Sequence, residues 1–437
     1  MSVLCSCGVI IPKDRDEYVD GKLRVTYWEK WTGFEGQAMQ DVVDRFNATQ
    51  DDIYVDLVTV SQIDRKALVA IAGGDPPDLL GIWNEVLPQF AEKRALTCLD
   101  PYMEKYGINA DDFIDVFIKL GTYHGKLYAL PTTPATVALH WNKDLFEQAG
   151  LDPESPPRTL DELDRMAEQL TKYDSDGNIT QMGFMPSEPS NLGTAWWPWI
   201  WVYWFGGSLW DEKNGITFDT PENMRTHRWI RSYAEKYGPD KLRRFESGFG
   251  NFASPQNPFL SGKVAMMLQG VWMNSFIAKY APKMRWGAAP FPSAVPGLAG
   301  VGMATTDSIS IPVGARHPDA AFVFLKYLCS QKSMELLNLG QRKFSPLKKV
   351  SPEFTENHPN PYIRVFRDLA INPAVFYAPQ CSIWYEYLDE INPVFEMMKF
   401  AEGDPKVLLP RVQRNMERTW ARAQKRMELR REREALQ

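Results

Sequence analysis

Apolar positions in the N-terminal part of the chain repeat with two alternating periods. Residues 23–28, 53–58 and 79–83 are short runs rich in strand-forming side chains. Between them, residues 37–47 carry apolar side chains at helical spacing, and residues 67–72 end a second helical pattern before a Gly-Gly pair. Strands that alternate with helices predict a parallel sheet with right-handed crossovers. The pattern therefore predicts an α/β fold.

The carboxyl ends of these predicted strands carry aromatic and polar side chains. In open α/β sheets, ligands bind beyond the carboxyl ends of the strands. The residues at these ends are Trp28, Trp31, Trp83, Asn84 and Glu85. They are the first candidates for a binding site.

Two further apolar runs, residues 127–130 and 137–141, are separated by Pro131 and Pro134. Proline has no amide hydrogen and a fixed φ, so it is disfavoured inside a central strand. The pattern predicts two extended pieces with a semi-rigid joint between them, preceded by a tight turn at Gly125.

Residues 174–178 read Asp-Ser-Asp-Gly-Asn, which is similar to the start of a calcium-binding loop. The glycine that such a loop requires is replaced by Ile179, and its last ligand position holds Met185. A turn is the preferred interpretation, with calcium as the alternative. Just before this segment, Thr159 and Glu162 form a predicted capping box at a helix start.

The densest aromatic segment is residues 195–210, which contain six of the fifteen tryptophans. Helical spacing places Trp197, Trp201 and Trp204 on one face, which is typical of core packing. Tryptophans at the start of this segment, including Trp197 and Trp199, are candidates for lining a ligand site.

Length and composition narrow the class of protein. A chain of 437 residues exceeds one ordinary core, so two domains are expected. A net charge of −6 argues against nucleic acid or an anionic membrane as the main partner. The segment 411–437 is predicted to be a helix; it holds nine Lys/Arg and four Asp/Glu, net +5, which leaves 40 basic and 51 acidic residues, net −11, elsewhere. This helix either serves a partner or is simply solvated.

Motifs for catalysis and metal binding are missing from the sequence. There is no zinc helix, nucleophile elbow, phosphate-binding loop or dinucleotide fingerprint, and no Cys-x-x-Cys pair among the five cysteines. Paired carboxylates remain possible, because 55 acidic residues offer many combinations. A glycan-active enzyme therefore stays open as an alternative, and no cofactor is implied.

Two stretches carry a more specific resemblance. Residues 125–131 read Gly-Lys-Leu-Tyr-Ala-Leu-Pro, and residues 141–152 read Trp-Asn-Lys-Asp-Leu-Phe-Glu-Gln-Ala-Gly-Leu-Asp. Residues 261–272 contain Ser-Gly-Lys-Val-Ala-Met and end in Gly-Val-Trp. These stretches resemble extracellular solute-binding proteins, the maltose-binding-protein-like sugar-binding subunits of ABC importers.

The resemblance implies a two-lobed type II periplasmic-binding-protein fold, with lobes joined by a hinge. The expected crossings lie at residues 131–134, 305–307 and 341–346. The N-terminal lobe would comprise residues 22–131 and 306–345, and the C-terminal lobe residues 132–305 and 346–437, after a leader of residues 1–21. The implied partners are a carbohydrate and the permease subunits, for a monomer at the periplasmic or extracellular face of the membrane.

A second resemblance concerns the N-terminus. Residues 4–8, Leu-Cys-Ser-Cys-Gly, are similar to the end of a bacterial lipoprotein signal, in which Cys7 would be lipidated. Only six residues precede Cys7, which is too few for a charged region and an apolar core. Either the chain starts late or the likeness is fortuitous.

A sugar site needs aromatic faces for the C–H faces of the rings and polar groups for the hydroxyls. The resemblance adds Trp272, which in the family often faces the ligand. Other binders of this superfamily remain open, including those of glycerol phosphate, iron and polyamines, although few basic residues lie at the predicted strand ends and no Tyr-Tyr pair occurs. The full candidate ligand-binding set is Trp28, Trp31, Trp83, Asn84, Glu85, Trp197, Trp199, Trp272, Asp307, Arg342 and Trp384, with Glu29 as a further polar partner.

Overall fold

The computed structural model of the protein describes residues 17–186, 198–250 and 253–435. Two of the candidate positions, Cys7 and Trp197, lie outside these ranges. The β-strands, in chain order, are β1 (Tyr18–Val19), β2 (Lys22–Glu29), β3 (Ile53–Thr59), β4 (Leu79–Trp83), β5 (Thr122–Tyr123), β6 (Lys126–Leu127), β7 (Ala129–Asn142), β8 (Lys172–Tyr173), β9 (Ile179–Phe184), β10 (Trp210–Asp211), β11 (Gly215–Ile216), β12 (Val264–Gly270), β13 (Trp286–Ala289), β14 (Gly302–Ser310) and β15 (Val375–Phe376).

Helices surround these strands. In chain order they are α1 (Gly33–Thr49), α2 (Ile63–Ala72), α3 (Leu87–Glu92), α4 (Asp100–Tyr106), α5 (Asp115–Leu120), α6 (Lys143–Gln148), α7 (Leu160–Leu170), α8 (Trp201–Trp204), α9 (Pro221–Tyr237), α10 (Pro239–Glu246), α11 (Met273–Tyr280), α12 (Pro318–Leu328), α13 (Gln331–Gly340), α14 (Pro352–Glu356), α15 (Ile363–Ile371), α16 (Trp384–Lys399) and α17 (Pro405–Ala435). None of those in the described ranges has the length and apolar character that crossing a membrane requires.

The main sheet is mixed. Its central path runs β1-β2-β4-β14-β7-β12-β9-β8, with β3 paired to β2, β13 to β7 and β15 to β14. The predicted parallel arrangement of the first strands is confirmed, since β2 pairs in parallel with both β3 and β4. Strand β14 then pairs antiparallel with β4 and with β7.

Strand β7 corrects the prediction of two extended pieces with a joint. It is one continuous strand, and both Pro131 and Pro134 lie inside it, opposite Ser308 and Thr306 of β14. The sheet tolerates the prolines because the register shifts between Asp307 and Ser308, where a bulge interrupts the regular ladder. The first half of β7 pairs with β14, and its second half pairs with β12 and β13.

Local turn and cap predictions are confirmed. Gly125, with φ of 74°, forms a two-residue hairpin loop with His124 between β5 and β6. At the start of α7, the Thr159 hydroxyl accepts a hydrogen bond from the Glu162 amide at 3.1 Å. The Asp174 carboxylate accepts bonds from the amides of residues 176 and 178, which is the geometry of a turn.

The tryptophan-rich segment forms less helix than its pattern predicts. A 3₁₀ turn, Pro198–Ile200, precedes the single turn of α8. The chain leaves the helix at Gly206, whose φ is +75°. Trp201 and Trp204 are buried, as helical spacing predicted.

Buried apolar residues form separate clusters along the sheet. One pair of clusters covers the two faces of the β2-β4 region and draws on chain segments 25–130 and 309–347. The largest cluster packs around β9, β12, α9 and α16. A smaller cluster between them combines α5, α15, Trp272 and Phe344 with the middle of β7. The long strand β7 therefore contributes to the cores on both sides.

His140 and His227 are two fully buried histidines. His140 Nδ1 donates to the Ala138 carbonyl at 3.0 Å, and His227 Nδ1 donates to the Asn223 carbonyl at 2.7 Å. Their Nε2 atoms have no partner among the described residues. Burial lowers the pKa of each imidazole to about 4.

We predict that His227→Phe reduces the loss of stability in acid. The unfolded chain binds a proton on histidine more tightly than the fold does, so stability falls as the pH drops from about 6.5 toward about 4. Phe should fit because His227 packs against Phe218 and Phe395. Between about pH 7 and pH 5, the free energy of unfolding in urea should fall by about 2 kcal/mol less in the variant. Equal losses in both proteins would contradict a buried neutral imidazole.

Candidate functional site

The predicted strand ends meet at one place in the structure. Parallel pairing aligns the ends of β2 and β4, and antiparallel pairing sets Trp83 at the end of β4 opposite Asp307 in β14. The residues that follow β2 and β4, Lys30 and Asn84, are thereby brought beside the middle of β14. Strand pairing therefore brings together residues that are far apart in the sequence.

A group of charged side chains, here called the buried ion network, lies at this junction. Lys30 Nζ is 3.1 Å from Asp307 Oδ1, and Lys343 Nζ is 3.5 Å from Asp307 Oδ2. Lys30 also contacts Glu29 at 3.2 Å, and Lys343 contacts Glu35 at 3.4 Å. Their side chains are at most 15% exposed, so these pairs are shielded from solvent.

Neutral donors complete the network. Thr133 Oγ1 donates to Asp307 Oδ2 at 2.7 Å, and the Tyr27 hydroxyl donates to Glu29 Oε2 at 2.6 Å. Gly81 makes room for the Glu29 carboxylate, because a Cβ at that position would lie 2.2 Å from Glu29 Oε2. A side chain at position 81 would therefore displace Glu29.

The charge states follow from the competition between burial and pairing. Burial alone would raise the pKa of Asp307, but Lys30 and Lys343 outweigh it and hold that pKa below its usual value. Burial would lower the pKa of Lys30, and Asp307 and Glu29 together raise it instead. For Glu35, burial prevails over the attraction of Lys343 and raises the pKa.

Beside the network, Asn84 and Glu85 form a polar shelf with β14. Thr305 Oγ1 lies 2.8 Å from both Asn84 Oδ1 and Glu85 Oε1, so its single proton is shared between them. The Thr306 amide donates to Asn84 Oδ1 at 2.8 Å. Asn84 Nδ2 has no partner within the described part of the chain, which leaves a buried donor. Burial raises the pKa of Glu85.

Trp31 and Trp83 cover this region. Their rings meet edge to face with centroids 6.4 Å apart. Lys30 Nζ lies 5.1 Å from the centroid of each ring, and Lys343 Nζ is 5.1 Å from that of Trp31. Trp83 is 36% exposed, which is unusual for a tryptophan and leaves a ring surface for a ligand.

Tyr385 lies in the first turn of α16, close enough to Glu85 for that carboxylate to act on its hydroxyl. Its ring is 41% exposed. Desolvation of its hydroxyl, and then the negative charges of Glu85 and Asp64, raise its pKa. We did not predict Tyr385 from the sequence, although its neighbour Trp384 was a candidate. Consecutive helical residues point in different directions, and here the tryptophan points inward.

Four candidate tryptophans lie away from this group in the structure. Trp199 and Trp384 are 5% and 2% exposed and pack edge to face at 5.1 Å inside the largest apolar cluster. Trp28 points to the other face of β2, where it packs against the apolar cluster of α2 and α3. Trp272 is 8% exposed, lies over Gly270, and donates its Nε1 hydrogen to Gln269 Oε1 at 3.1 Å.

Arg342 lies next to α11 and not beside Trp31 and Trp83. Its backbone has φ of +55°, and its Nη1 lies 3.5 Å from Asn274 Oδ1 in α11. Nearby, Phe34 at the start of α1 contacts Phe276 of α11 with ring centroids 6.3 Å apart. These two contacts join α11 to the side of the molecule that carries the buried ion network.

Sequence and structure comparisons agree on the kind of protein. The profile of the family described as bacterial extracellular solute-binding protein matches residues 33–335. The arabinooligosaccharide-binding protein of Bacillus subtilis is 23% identical over 403 residues, which cover 89% of this chain and 86% of the relative. The sn-glycerol-3-phosphate-binding periplasmic protein UgpB of Pectobacterium atrosepticum is 24% identical over 61% of this chain and 60% of its own length. A solved structure, CpMnBP1 with mannobiose bound, has a TM-score of 0.78 and 29% identity, covering 90% of this chain and 99% of that chain.

We predict that Asp307→Asn destabilises the protein by about 3 kcal/mol, because two buried ammonium groups lose their shared counter-charge. Urea unfolding near neutral pH measures this difference. The stabilisation that Asp307 provides exists above its usual pKa and is lost as the pH falls through its lowered pKa. The difference between the two proteins should therefore shrink in strong acid.

Asp319→Asn is the matched control. Asp319 pairs with Lys105 on the surface, where both side chains are more than half exposed. Its removal should leave stability almost unchanged. If Asp307→Asn were equally harmless, the buried ion network would not be a source of stability.

Proposed function

The chain belongs to the bacterial extracellular solute-binding protein family, and from this premise we propose that it is the solute-binding subunit of an ABC importer that captures an oligosaccharide and delivers it to the membrane permease. The observation that carries the choice of ligand is the exposed ring of Trp83 beside Trp31, above a shelf of carboxylate and amide groups. Indole faces suit the apolar faces of sugar rings, and charged acceptors make strong hydrogen bonds to hydroxyls.

The ligand-binding residues we propose are Trp31, Trp83, Asn84, Glu85 and Tyr385. Asn84 Nδ2 is a buried donor without a partner in the described ranges, and a sugar hydroxyl would satisfy it. Asp307 acts indirectly, by holding Lys30 beneath both indole rings. Trp272 and Arg342 remain proposed contacts from the side of α11. Trp197 stays a proposed contact on the strength of the sequence alone.

We propose two lobes that close on the sugar. The N-terminal lobe comprises residues 22–131 and 306–345, and the C-terminal lobe residues 132–305 and 346–437. The buried ion network supports this division, because Thr133, Asp307 and Lys343 belong to the three proposed crossings and contact one another. On closure the two lobes would rotate about the buried ion network, which holds the crossings together, as in the hinge motions of binding proteins.

A phosphate ligand is the second candidate, because a glycerol phosphate binder is among the relatives. A phosphate would need free cations, and both lysines at the site, Lys30 and Lys343, already face carboxylates. The charge arrangement therefore favours a neutral polyol. An enzyme that uses a carboxylate pair is the other rival, and analysis of sugars recovered after long incubation separates it from a binder, which returns them intact.

We further propose that the protein acts as a monomer at the outer face of the membrane and is anchored through a lipid on Cys7. The support is the sequence of residues 4–8 and the extracellular character of the family. Mass spectrometry of the native protein decides this point: a Cys7 without a diacylglyceryl group would refute the anchor.

We predict that an oligosaccharide raises the melting temperature and that Trp83→Ala weakens its binding at least tenfold. The indole face is lost, and a ring contact of this kind contributes on the order of 1 kcal/mol or more in addition to buried area. A thermal-shift screen over mannose-, arabinose- and glucose-based oligosaccharides identifies the ligand, and calorimetry measures its affinity. Glycerol 3-phosphate belongs in the same screen.

Tyr173→Ala is the matched control for Trp83→Ala, since Tyr173 is a 50% exposed aromatic residue on β8, at the far end of the sheet path. The Tyr173→Ala variant should bind the oligosaccharide with the same affinity as the wild type. A Trp83 variant that binds as tightly as the wild type would remove Trp83 from the site.

We also predict that the bound sugar compacts the molecule. A ligand shifts an equilibrium between open and closed forms only through its higher affinity for one of them. Small-angle scattering should show a smaller radius of gyration with saturating ligand. Trp83→Ala should need at least about tenfold more sugar to reach the same compaction. Unchanged scattering from a fully occupied wild-type protein would count against closure.

A further inference from the structure

Helix α17 has one packed face and one free face. Leu409, Val412, Met416 and Ala423 are at most 2% exposed and belong to the largest apolar cluster. Trp420 extends this packed face by an edge-to-face contact with Trp210 at 5.8 Å. The remaining face of the helix points to solvent.

The free face carries a line of cations, here called the basic stripe. Its members are spaced three and four residues apart, which places them along one side of a helix. They are all exposed: Arg411, Arg414, Arg418, Arg422 and Lys425. With a rise of about 1.5 Å per residue, the basic stripe is about 21 Å long.

The charges of the basic stripe are not paired with carboxylates in the part of the chain that the structure describes. None of its five cations forms an ion pair with any described residue. Helical spacing puts the nearby Glu417 and Glu428 beside the stripe and not within it, and Glu417 accepts a hydrogen bond from Gln413 at 2.8 Å. Residues 411–437 carry net +5 against −11 for the other residues, so positive charge is segregated onto this helix.

The helix is also held at its far end. Arg430, beyond the basic stripe, donates from Nη1 to the carbonyl of Glu92, the last residue of α3. A cation at the C-terminus of a helix is favourable, because the free carbonyls there carry partial negative charge. This contact joins the C-terminal end of α17 to α3 and leaves the basic stripe on the exposed side of the helix.

We propose that the basic stripe binds the anionic phospholipid surface of the membrane, with α17 lying along it. Between Arg411 and Lys425 the stripe carries no large apolar side chain, and the exposed Val407 and Leu429 flank it at its two ends. Its centre therefore lacks the buried aromatic anchors that dominate protein–protein interfaces. It matches instead a plane of anionic headgroups, to which each Lys or Arg adds attraction. The net charge of −6 for the whole chain argues against an anionic membrane as a partner. The positive charge collected on α17 makes this one surface an exception. This surface is separate from the sugar site proposed above.

The test is sedimentation of the purified, unlipidated chain with vesicles of phosphatidylcholine, with and without phosphatidylglycerol, over a series of salt concentrations. Binding should require phosphatidylglycerol and weaken steeply as salt rises. Changing all five members of the stripe to Gln should lower the partition coefficient at least about tenfold. Changing the four arginines of the stripe to Lys should preserve binding, because binding depends on the positive charge and not on the geometry of the guanidinium group.

A matched variant tests whether membrane binding depends on the position of the cations in the basic stripe or only on the net charge of the protein. Arg45, Lys119, Lys283, Lys332 and Lys349 are exposed cations on other elements, and changing them to Gln alters the net charge equally. This variant should bind like the wild type, and melting curves should show that all variants fold. Equal loss in both Gln variants, or no binding of the wild type to anionic vesicles at low salt, would overturn the proposal. Binding to native membranes but not to pure lipid would also overturn it, in favour of an acidic protein.

Discussion

The shared counter-charge at Asp307 is the interaction on which the arrangement of the site depends. Two lysines and a threonine from distant parts of the chain converge on one buried carboxylate. Each ion alone would be costly to remove from water, and the cost is offset only while all of them remain in place. Strand β14, the start of β7 and the segment after α13 are therefore held in one geometry.

The proposed binding surface is built on this ion network. Lys30 belongs to the ion network and also lies beneath the rings of Trp31 and Trp83. An ammonium fixed by Asp307 and Glu29 gives the two indoles a rigid, positively charged support. Asn84 and Glu85 are set in turn by Thr305 of β14. The proposed binding surface and the proposed crossings thus share Lys30 and Asp307, so a sugar bound at Trp83 would act on the same ion network that joins the crossings.

Residue type alone does not determine which face of its element a side chain occupies. Tryptophan was favoured as a sugar platform, yet Trp199 and Trp384 pack against each other in the core. Tyr385, one residue beyond Trp384, has the exposed ring near Glu85. In the same way, Trp28 lies on the opposite face of β2 from Glu29, because successive side chains in a strand alternate. The direction of each side chain depends on which face of its element meets the core, and no local pattern contains that information.

Apolar periodicity and short sequence motifs were sufficient for the α/β class, the parallel first strands, the N-cap at Thr159, the hairpin at Gly125 and the family. These features are signalled by residues that lie close together in the sequence, so the sequence by itself determined them. Tertiary structure decided the rest: that Pro131 and Pro134 lie within one strand, that Lys343 reaches Asp307, and that five cations of α17 share a free face. Each of these depends on pairing between segments far apart in the chain. Burial and charge compensation can be judged only when both partners are in place.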